Sequence, residues 1–464
     1  MNYSPLDTIV ATATPPGLGG VAIVRISGSK ALSVLKMIVR DGQLKVWQAR
    51  HMYYCEIVDQ DGQTVDKALA VYMPSPHSYT GEDVAEIHCH GGSVLASVIV
   101  DISLHYGARL AQPGEFTYRA FMAGKLDLAE AESILSLIEA KSKSGVILAA
   151  NNLKGAFSQS LAKLRSDILD LIAQYEAEID YGDEIAASDV SLIKDKCQTF
   201  LQFTDSLLCR ANEGRALTEG LETVLIGPPN AGKSTLWNAL IGQDKALVTP
   251  YPGTTRDQLE DYVYVKGVML HLIDTAGLHE AQDPVERLGI EKTQAALEKA
   301  QVAVIVLDCS LDIESDFKKI MSDMAKKLEK SDDFKVLVIL NKCDCGIKLT
   351  PEQVTETFGF RYICRTSLKF ADGLEGVKES LAQLCRPLLS SEKVALSMNQ
   401  RQRQALTKVK EALLNLDSAI KANLPCDCLL LDLHNCLTAL NELTGDDVSE
   451  DILDRVFSKF CLGK

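Results

Sequence analysis

Residues 1 to about 120 alternate short apolar runs with Gly/Pro punctuation. Val21-Ala22-Ile23-Val24-Arg25-Ile26, Met52-Tyr53-Tyr54-Cys55-Glu56-Ile57-Val58 and Ala68-Leu69-Ala70-Val71-Tyr72-Met73 have the length and composition of strands. The polar stretches Thr14-Pro15-Pro16-Gly17-Leu18-Gly19-Gly20, Ser78-Tyr79-Thr80-Gly81-Glu82-Asp83 and Gln112-Pro113-Gly114-Glu115-Phe116-Thr117 read as loops. From about Arg119 to Leu217 the period lengthens to that of a helix, with Leu128, Ala131, Leu135 and Ile138 on one face and Asp127, Glu130 and Glu139 off it. Helical pattern resumes at Arg401-Gln402-Arg403-Gln404-Ala405-Leu406 after a segment of strand-like runs. The pattern therefore predicts a multidomain chain: an α+β domain over 1–120, an α-helical domain in two parts, 121–218 and 387–464, and an α/β domain over 219–386 inserted into the helical one. A length of 464 residues, too great for one typical core, fits that division.

The inserted segment carries most of the readable chemistry. Thr223-Val224-Leu225-Ile226 reads as a buried strand, followed by a glycine-bounded loop and a helical turn. Gly227, Gly232, Lys233 and Ser234 fit the P-loop pattern G-x-x-x-x-G-K-[ST]. Backbone N–H groups over Asn230, Ala231, Gly232, Lys233, Ser234 and Thr235 are expected to wrap phosphate oxygens, with Lys233 on the outer phosphates and the Ser234 hydroxyl on Mg²⁺. The loop Gly253-Thr254-Thr255-Arg256-Asp257 offers Thr255 to complete the Mg²⁺ shell. Asp274-Thr275-Ala276-Gly277 follows the strand Met269-Leu270-His271-Leu272-Ile273; Asp274 can hold a Mg²⁺-bound water and the Gly277 N–H can meet a γ-phosphate.

A later strand ends in Asn341-Lys342-Cys343-Asp344. The two carboxylate oxygens of Asp344 match the N1–H and exocyclic amine of guanine, whereas adenine has no proton at N1. Thr366-Ser367-Leu368-Lys369 brings a backbone N–H to the base oxygen, with Leu368 where alanine is common. In this order and with these strand contexts the motifs predict a Ras-like GTPase domain. Leu278 stands where small Ras-like GTPases carry a water-orienting glutamine, and an aliphatic side chain can neither orient nor deprotonate water. Glu286, in Asp283-Pro284-Val285-Glu286-Arg287, is the candidate for that work.

Composition narrows the setting. No stretch approaches the eighteen or so uninterrupted apolar residues of a spanning helix, and the N-terminal stretch lacks signal or transit character, so a cytoplasmic protein without a membrane association is expected. Thirteen cysteines occur without C-x-x-C spacing and are expected to be reduced. The close sets Cys343/Cys345, Cys426/Cys428 with His434 and Cys436, and His88-Cys89-His90 read as incidental rather than metal-ligating. A net charge of −15 repels a polyanion at long range, so any RNA role needs a local basic patch or a basic partner.

Over nearly its whole length the chain resembles the MnmE (TrmE) family of tRNA-modification GTPases. The resemblance rests on Asp7-Thr8-Ile9-Val10-Ala11 with Thr14-Pro15-Pro16-Gly17, Thr80-Gly81-Glu82-Asp83, Gly124-Lys125-Leu126-Asp127-Leu128, the GTPase insertion, and the terminal Cys461-Leu462-Gly463-Lys464, where the family has Cys-Ile-Gly-Lys. It implies a homodimer that works with an FAD-dependent MnmG-type flavoprotein as a heterotetramer on tRNA, FAD being held by the partner. It also implies that the N-terminal domain binds 5-formyltetrahydrofolate or a related folate through Arg25, Glu82, Lys125 and Lys464, with Cys461 taking part in the modification. Glu286 would orient water, and Asn230 with Thr249, Tyr251 and Thr254 would hold K⁺ where other GTPases use an arginine finger. The implied activity is K⁺-dependent GTP hydrolysis tied to one-carbon modification of C5 of the tRNA wobble uridine. A second reading is a regulatory GTPase switch on RNA or ribosomes with the N-terminal domain as an oligomerisation module; the folate-type loops and the Cys461 tail speak for the first.

Overall fold

The computed structural model describes residues 7–181, 190–244, 260–274, 297, 300–330, 334–388 and 396–464. The chain divides into two compact units, each assembled from separated segments. One contains Met1–Leu135, Asn152–Cys197 and Ala405–Lys464; the other contains Ser136–Asn151 and Gln198–Gln404. The long helices Val190–Glu219 and Gln400–Lys421 each supply residues to both.

The first unit contains a six-stranded sheet, β1 (Ile9–Thr12), β2 (Val21–Ser27), β3 (Tyr53–Val58), β4 (Thr64–Met73), β5 (Val84–His90) and β6 (Arg109–Leu110), in the order β3-β4-β5-β2-β1-β6. Its pairs are antiparallel except β1 with β6. Alternation along the strands decides what each face carries. Val10, Val24, Ile26, Ala85 and Ile87 pack on the helices Ala31–Ile38 and Ser93–His105 through Leu35, Ile38 and Ile99. Ile9 and Ala11 face the other way, onto Phe116 of the helix Glu115–Met122. Arg25 and Glu86, cross-strand partners in the β2·β5 register, fall out of phase with the helix-covered set, and Arg25 approaches the Phe116 ring.

The helical part of this unit closes around Phe457 and Phe460, which pack with Leu128, Ala131 and Ile134. Of the apolar face expected from the sequence, Leu128 and Ala131 are buried and Leu135 is half-buried in this unit, while Ile138, which belongs to the other unit, is 40% exposed. The aromatic cover reaches only the first half of that helix, where Ile134 and even Glu132 and Ser133 are enclosed.

The second unit holds another six-stranded sheet, β7 (Leu221–Ile226), β8 (Glu260–Val265), β9 (Val268–Asp274), β10 (Val302–Asp308), β11 (Lys335–Asn341) and β12 (Tyr362–Arg365), in the order β12-β11-β10-β7-β9-β8. Only the β8·β9 pair is antiparallel. The central strands are apolar without alternation because helices cover both faces. Leu225, Val304 and Ile339 meet Leu236 and Trp237 of the helix Lys233–Asp244 and Val377 and Leu381 of Ala371–Cys385. Val224, Ile305 and Val338 meet Met321 and Met324 of Ser315–Lys330 and Val354 of Pro351–Phe358.

Buried in the first unit, Arg119 has a wholly enclosed side chain ion-paired with Asp7 at 2.6 Å, Glu115 at 2.9 Å and Glu82 at 3.0 Å. Arg109 joins the cluster through Asp7 and Glu115. Burial alone would raise Asp7 and Glu115, but hydrogen bonds from the two arginines outweigh it and hold both carboxyls below their ordinary values. Stabilisation from lowered carboxyl pKa values is fully present above the unfolded values near about 4 and is lost as pH falls through the folded ones. Arg119→Met should therefore destabilise this unit by about 3–5 kcal/mol at neutral pH, because it strands buried carboxylates, and the deficit should shrink on acidification. Urea unfolding followed by Trp47 fluorescence in a Trp237→Phe background isolates the first unit; an unchanged midpoint would refute the assignment.

Candidate functional site

The five parallel strands of the second sheet, β7, β9, β10, β11 and β12, end at one edge of the ladder, where open α/β sheets bind ligands. β7 runs into the P-loop, β11 into Asn341-Lys342-Cys343-Asp344, and β12 into Thr366-Ser367-Leu368. Gly232 adopts φ +108, and a Cβ there would lie 2.2 Å from Asn341 Nδ2, so glycine is required by conformation and by space. Lys233 folds its ammonium over the loop, donating to the carbonyls of Gly227 at 2.8 Å and Pro228 at 2.7 Å. Asn230 is exposed at the tip with φ 58, and Ser234 and Thr235 are exposed in the first turn of the following helix. That N-terminus, with a backbone turned by Asn230 and Gly232, suits phosphate oxygens and a Ser234-bound Mg²⁺.

The base-recognition residues interlock. The Asn341 amide is buried; its Nδ2 donates to the Ala231 carbonyl at 2.8 Å and its Oδ1 accepts from the Leu368 N–H at 3.0 Å. One side chain thus ties the P-loop to the Ser367-Leu368 loop. The Ser367 hydroxyl donates to Asp344 Oδ1 at 2.7 Å, and this bond holds the exposed Asp344 carboxyl below its ordinary range. Lys342 stands in the left-handed region at φ 63 with its ammonium 2.7 Å from Asp308 Oδ2. Asp308 also accepts from the Ser310 backbone and hydroxyl; against burial, these bonds keep it ionised below its ordinary value.

The sequence reading did not include Asp308, although its position at a strand end in Asp308-Cys309-Ser310 is the available signal. Asp274 closes β9 beside Leu225. Thr249, Tyr251, Thr254, Thr255, Thr275, Ala276, Gly277 and Glu286 lie outside the described residues.

In the first unit the C-terminal tail returns to the sheet. The Gly463 carbonyl accepts from Arg25 at 3.4 Å, the Phe116 N–H donates to the Lys464 carbonyl at 3.3 Å, and Gly463, at φ +93, would put a Cβ 2.2 Å from the Thr12 carbonyl oxygen. Burial, joined by the Arg25 charge, draws the Lys464 ammonium below its ordinary range, opposed by Cys461. Arg25 also pairs with Glu86 at 2.8 Å and lies over the Tyr79 ring. Arg25 and Lys464 are therefore close, with the exposed Cys461 adjoining Lys464 in the tail turn. Glu82 is engaged by Arg119 and by the Ser27 hydroxyl at 2.8 Å, and Lys125 clamps the 76–78 loop by donating to the Pro76 and Ser78 carbonyls. Arg119 was absent from the sequence reading; its i,i+4 spacing from Glu115 was the only local hint.

Comparison with known proteins gives the following matches. A model of the MnmE helical domain matches residues 128–461 and a model of the GTP-binding protein TrmE N-terminus matches residues 8–125. The tRNA modification GTPase MnmE of Lactiplantibacillus plantarum is 38% identical over 463 residues, covering 99% of this chain and 98% of the relative. That of Alkaliphilus metalliredigens is 38% identical over 464 residues, covering 99% of each. Among solved structures, the G domain of the T. maritima FeoB iron transporter aligns with 35% of this chain and 97% of its own at 26% identity and a TM-score of 0.26.

The interlocked base loop gives a direct expectation. Asp344→Asn replaces an acceptor with a donor, so GDP affinity should fall by a factor on the order of 100 while xanthosine diphosphate binding improves. Fluorescence titration with both nucleotides checks it, and undiminished GDP affinity would contradict the assignment.

Proposed function

The chain belongs to the MnmE family of tRNA modification GTPases, and from that premise we propose that it spends GTP in a K⁺-dependent cycle that drives modification of C5 of the wobble uridine. In this reading the homodimer works in the cytoplasm with an MnmG-type flavoprotein that holds FAD, and a formyl- or methylene-tetrahydrofolate supplies the carbon of an aminomethyl or carboxymethylaminomethyl group. Residues 1–120 form the folate-binding and dimerisation domain, 121–218 and 387–464 the helical domain, and 219–386 the GTPase domain.

The division of labour follows from the side chains. P-loop amides and Lys233 bind the phosphates, Asp344 selects guanine beside the Ser367-Leu368 loop that Asn341 holds in place, and Glu286 orients the attacking water. Ser234 and Thr255 would hold Mg²⁺, and Asn230 with Thr249, Tyr251 and Thr254 would hold K⁺; bound there, the cations supply positive charge against the phosphate oxygens. The exposed Asn230 at the loop tip supports that role. Arg25 and Lys464 offer cations to the folate carboxylates, with Glu82 and Lys125 ordering the loop beside them.

The observation that carries this reading is the Cys461–Lys464 tail laid against Arg25 and Phe116, a second chemical centre that a nucleotide switch alone does not need. Mass spectrometry of tRNA wobble nucleosides from cells lacking the protein tests it: the aminomethyl-type groups should disappear, and unchanged nucleosides would sink the modification role. Within the GTPase cycle, Glu286→Ala should leave GTP affinity near wild type while turnover falls roughly 100- to 10,000-fold. Hydrolysis should be faster in KCl than in NaCl at matched ionic strength, and Asn230→Ala should remove the difference. Equal rates of the wild-type protein in the two salts would reject the cation mechanism.

A further inference from the structure

Cys309 and Cys343 are both free thiols, and their sulfur atoms lie 3.5 Å apart beside the guanine motif. β10 and β11 run parallel with Asp308 opposite Asn341, so the residues just past each strand end emerge side by side. Cys309 is buried, and its backbone is pinned: its N–H donates to Asn341 at 2.9 Å, and its carbonyl accepts from Lys348 at 2.8 Å and Leu349 at 3.1 Å. Cys343 is half-buried and opens the 3₁₀ turn Cys343–Cys345, directly between Lys342 and Asp344.

We propose that Cys309 and Cys343 form a reversible disulfide that releases guanine nucleotide, making the base-recognition loop a thiol-redox switch. The proposal rests on the guanine-site reading. A disulfide needs its sulfurs about 2.0 Å apart; the Cys343 N–H is held by one bond, to the Thr366 carbonyl at 3.3 Å, against three shorter ones at Cys309, so the approach draws on the turn that carries Cys343. That turn holds Lys342 in the left-handed region against Asp308 and presents Asp344 to Ser367. Drawing Cys343 toward β10 therefore moves the two flanking residues whose positions define guanine recognition.

The chemistry balances with a low-molecular-weight disulfide as oxidant. The more accessible Cys343 thiolate attacks one sulfur of oxidised glutathione, forming a mixed disulfide and expelling one glutathione thiolate. Cys309 then loses its proton and attacks the Cys343 sulfur, expelling the second. The two protein thiols give up two electrons and two protons in all, and one glutathione disulfide becomes two glutathione thiols. Burial, with the neighbouring Cys343 and Asp308, pushes the Cys309 thiol up to about 11, which assigns the first attack to Cys343. Thiol pairs of this kind in reducing compartments are characteristically transient and redox-sensing.

The test uses the full-length protein in glutathione buffers of graded oxidised-to-reduced ratio, with peptide mass spectrometry and fluorescent GDP binding as parallel readouts. A Cys309–Cys343-linked peptide should form, GDP affinity should fall tenfold or more, and dithiothreitol should reverse both. Cys309→Ala and Cys343→Ser should each bind GDP like the reduced wild type and lose the response, so the failure of one variant to fold leaves the other. Absence of the linked peptide, a linked form with undiminished GDP affinity, or an affinity loss that persists in Cys309→Ala would overturn the proposal, the last by assigning the effect to a glutathione adduct on Cys343. If the fully reduced wild type binds no GDP, the guanine-site reading itself is what fails.

Discussion

The Asn341 side chain donates from one end of its amide to the P-loop carbonyl of Ala231 and accepts at the other from the backbone of Leu368, while only 4% of the residue meets solvent. An amide so enclosed strongly disfavours leaving either end unpaired, so the phosphate loop and the base loop are constrained to move as one piece. Gly232 follows from that constraint, since any side chain there would collide with the same Asn341 nitrogen. The Lys342 conformation and the Asp344–Ser367 bond follow as well, because both lie on the short chain that leaves Asn341. The spacing between the P-loop and the base loop is thus set by one buried polar residue.

The first unit uses the same device with charge in place of an amide. Arg119 gathers Asp7 from the entry to β1, Glu82 from the loop before β5, and Glu115 from its own helix. A lone buried guanidinium would be unfavourable, and so would any one of its carboxylates alone. Each segment therefore has to arrive for the others to be satisfied, and the surface they jointly order is the one on which Arg25, Tyr79, Phe116 and the C-terminal residues meet.

What could be read in the sequence divides along contact range. The P-loop and the Asn341–Asp344 motif were legible because their chemistry needs particular residues at fixed short spacings, and the strand before each was legible from unbroken apolar runs buried on both faces. The interrupted helical pattern likewise read as an insertion, since periodicity is a local property. Arg119 and the partners of Asp308 were not legible: an arginine in Phe116-Thr117-Tyr118-Arg119 looks like any helical surface cation until Asp7, more than a hundred residues away, is placed beside it. Ile138 shows the converse error. Its period matched the buried face, yet burial depends on what covers a helix, and Ile138 is not among the residues that pack with Phe457 and Phe460.

Charge constrains how such a chain can serve tRNA. With a net charge of −15, long-range attraction to a polyanion is absent, and screening beyond about 8 Å at physiological salt leaves only local cations to act. Beside the tail, Arg109 and Arg119 are paired with Asp7, Glu82 and Glu115, Arg25 with Glu86, and Lys125 with backbone carbonyls. The terminal lysine differs, because burial and the Arg25 charge both act against its ammonium. An incoming carboxylate would reverse that balance, favouring a small anion at the tail. A small carboxylate needs one such point of positive charge, whereas a polyanion needs a row of them.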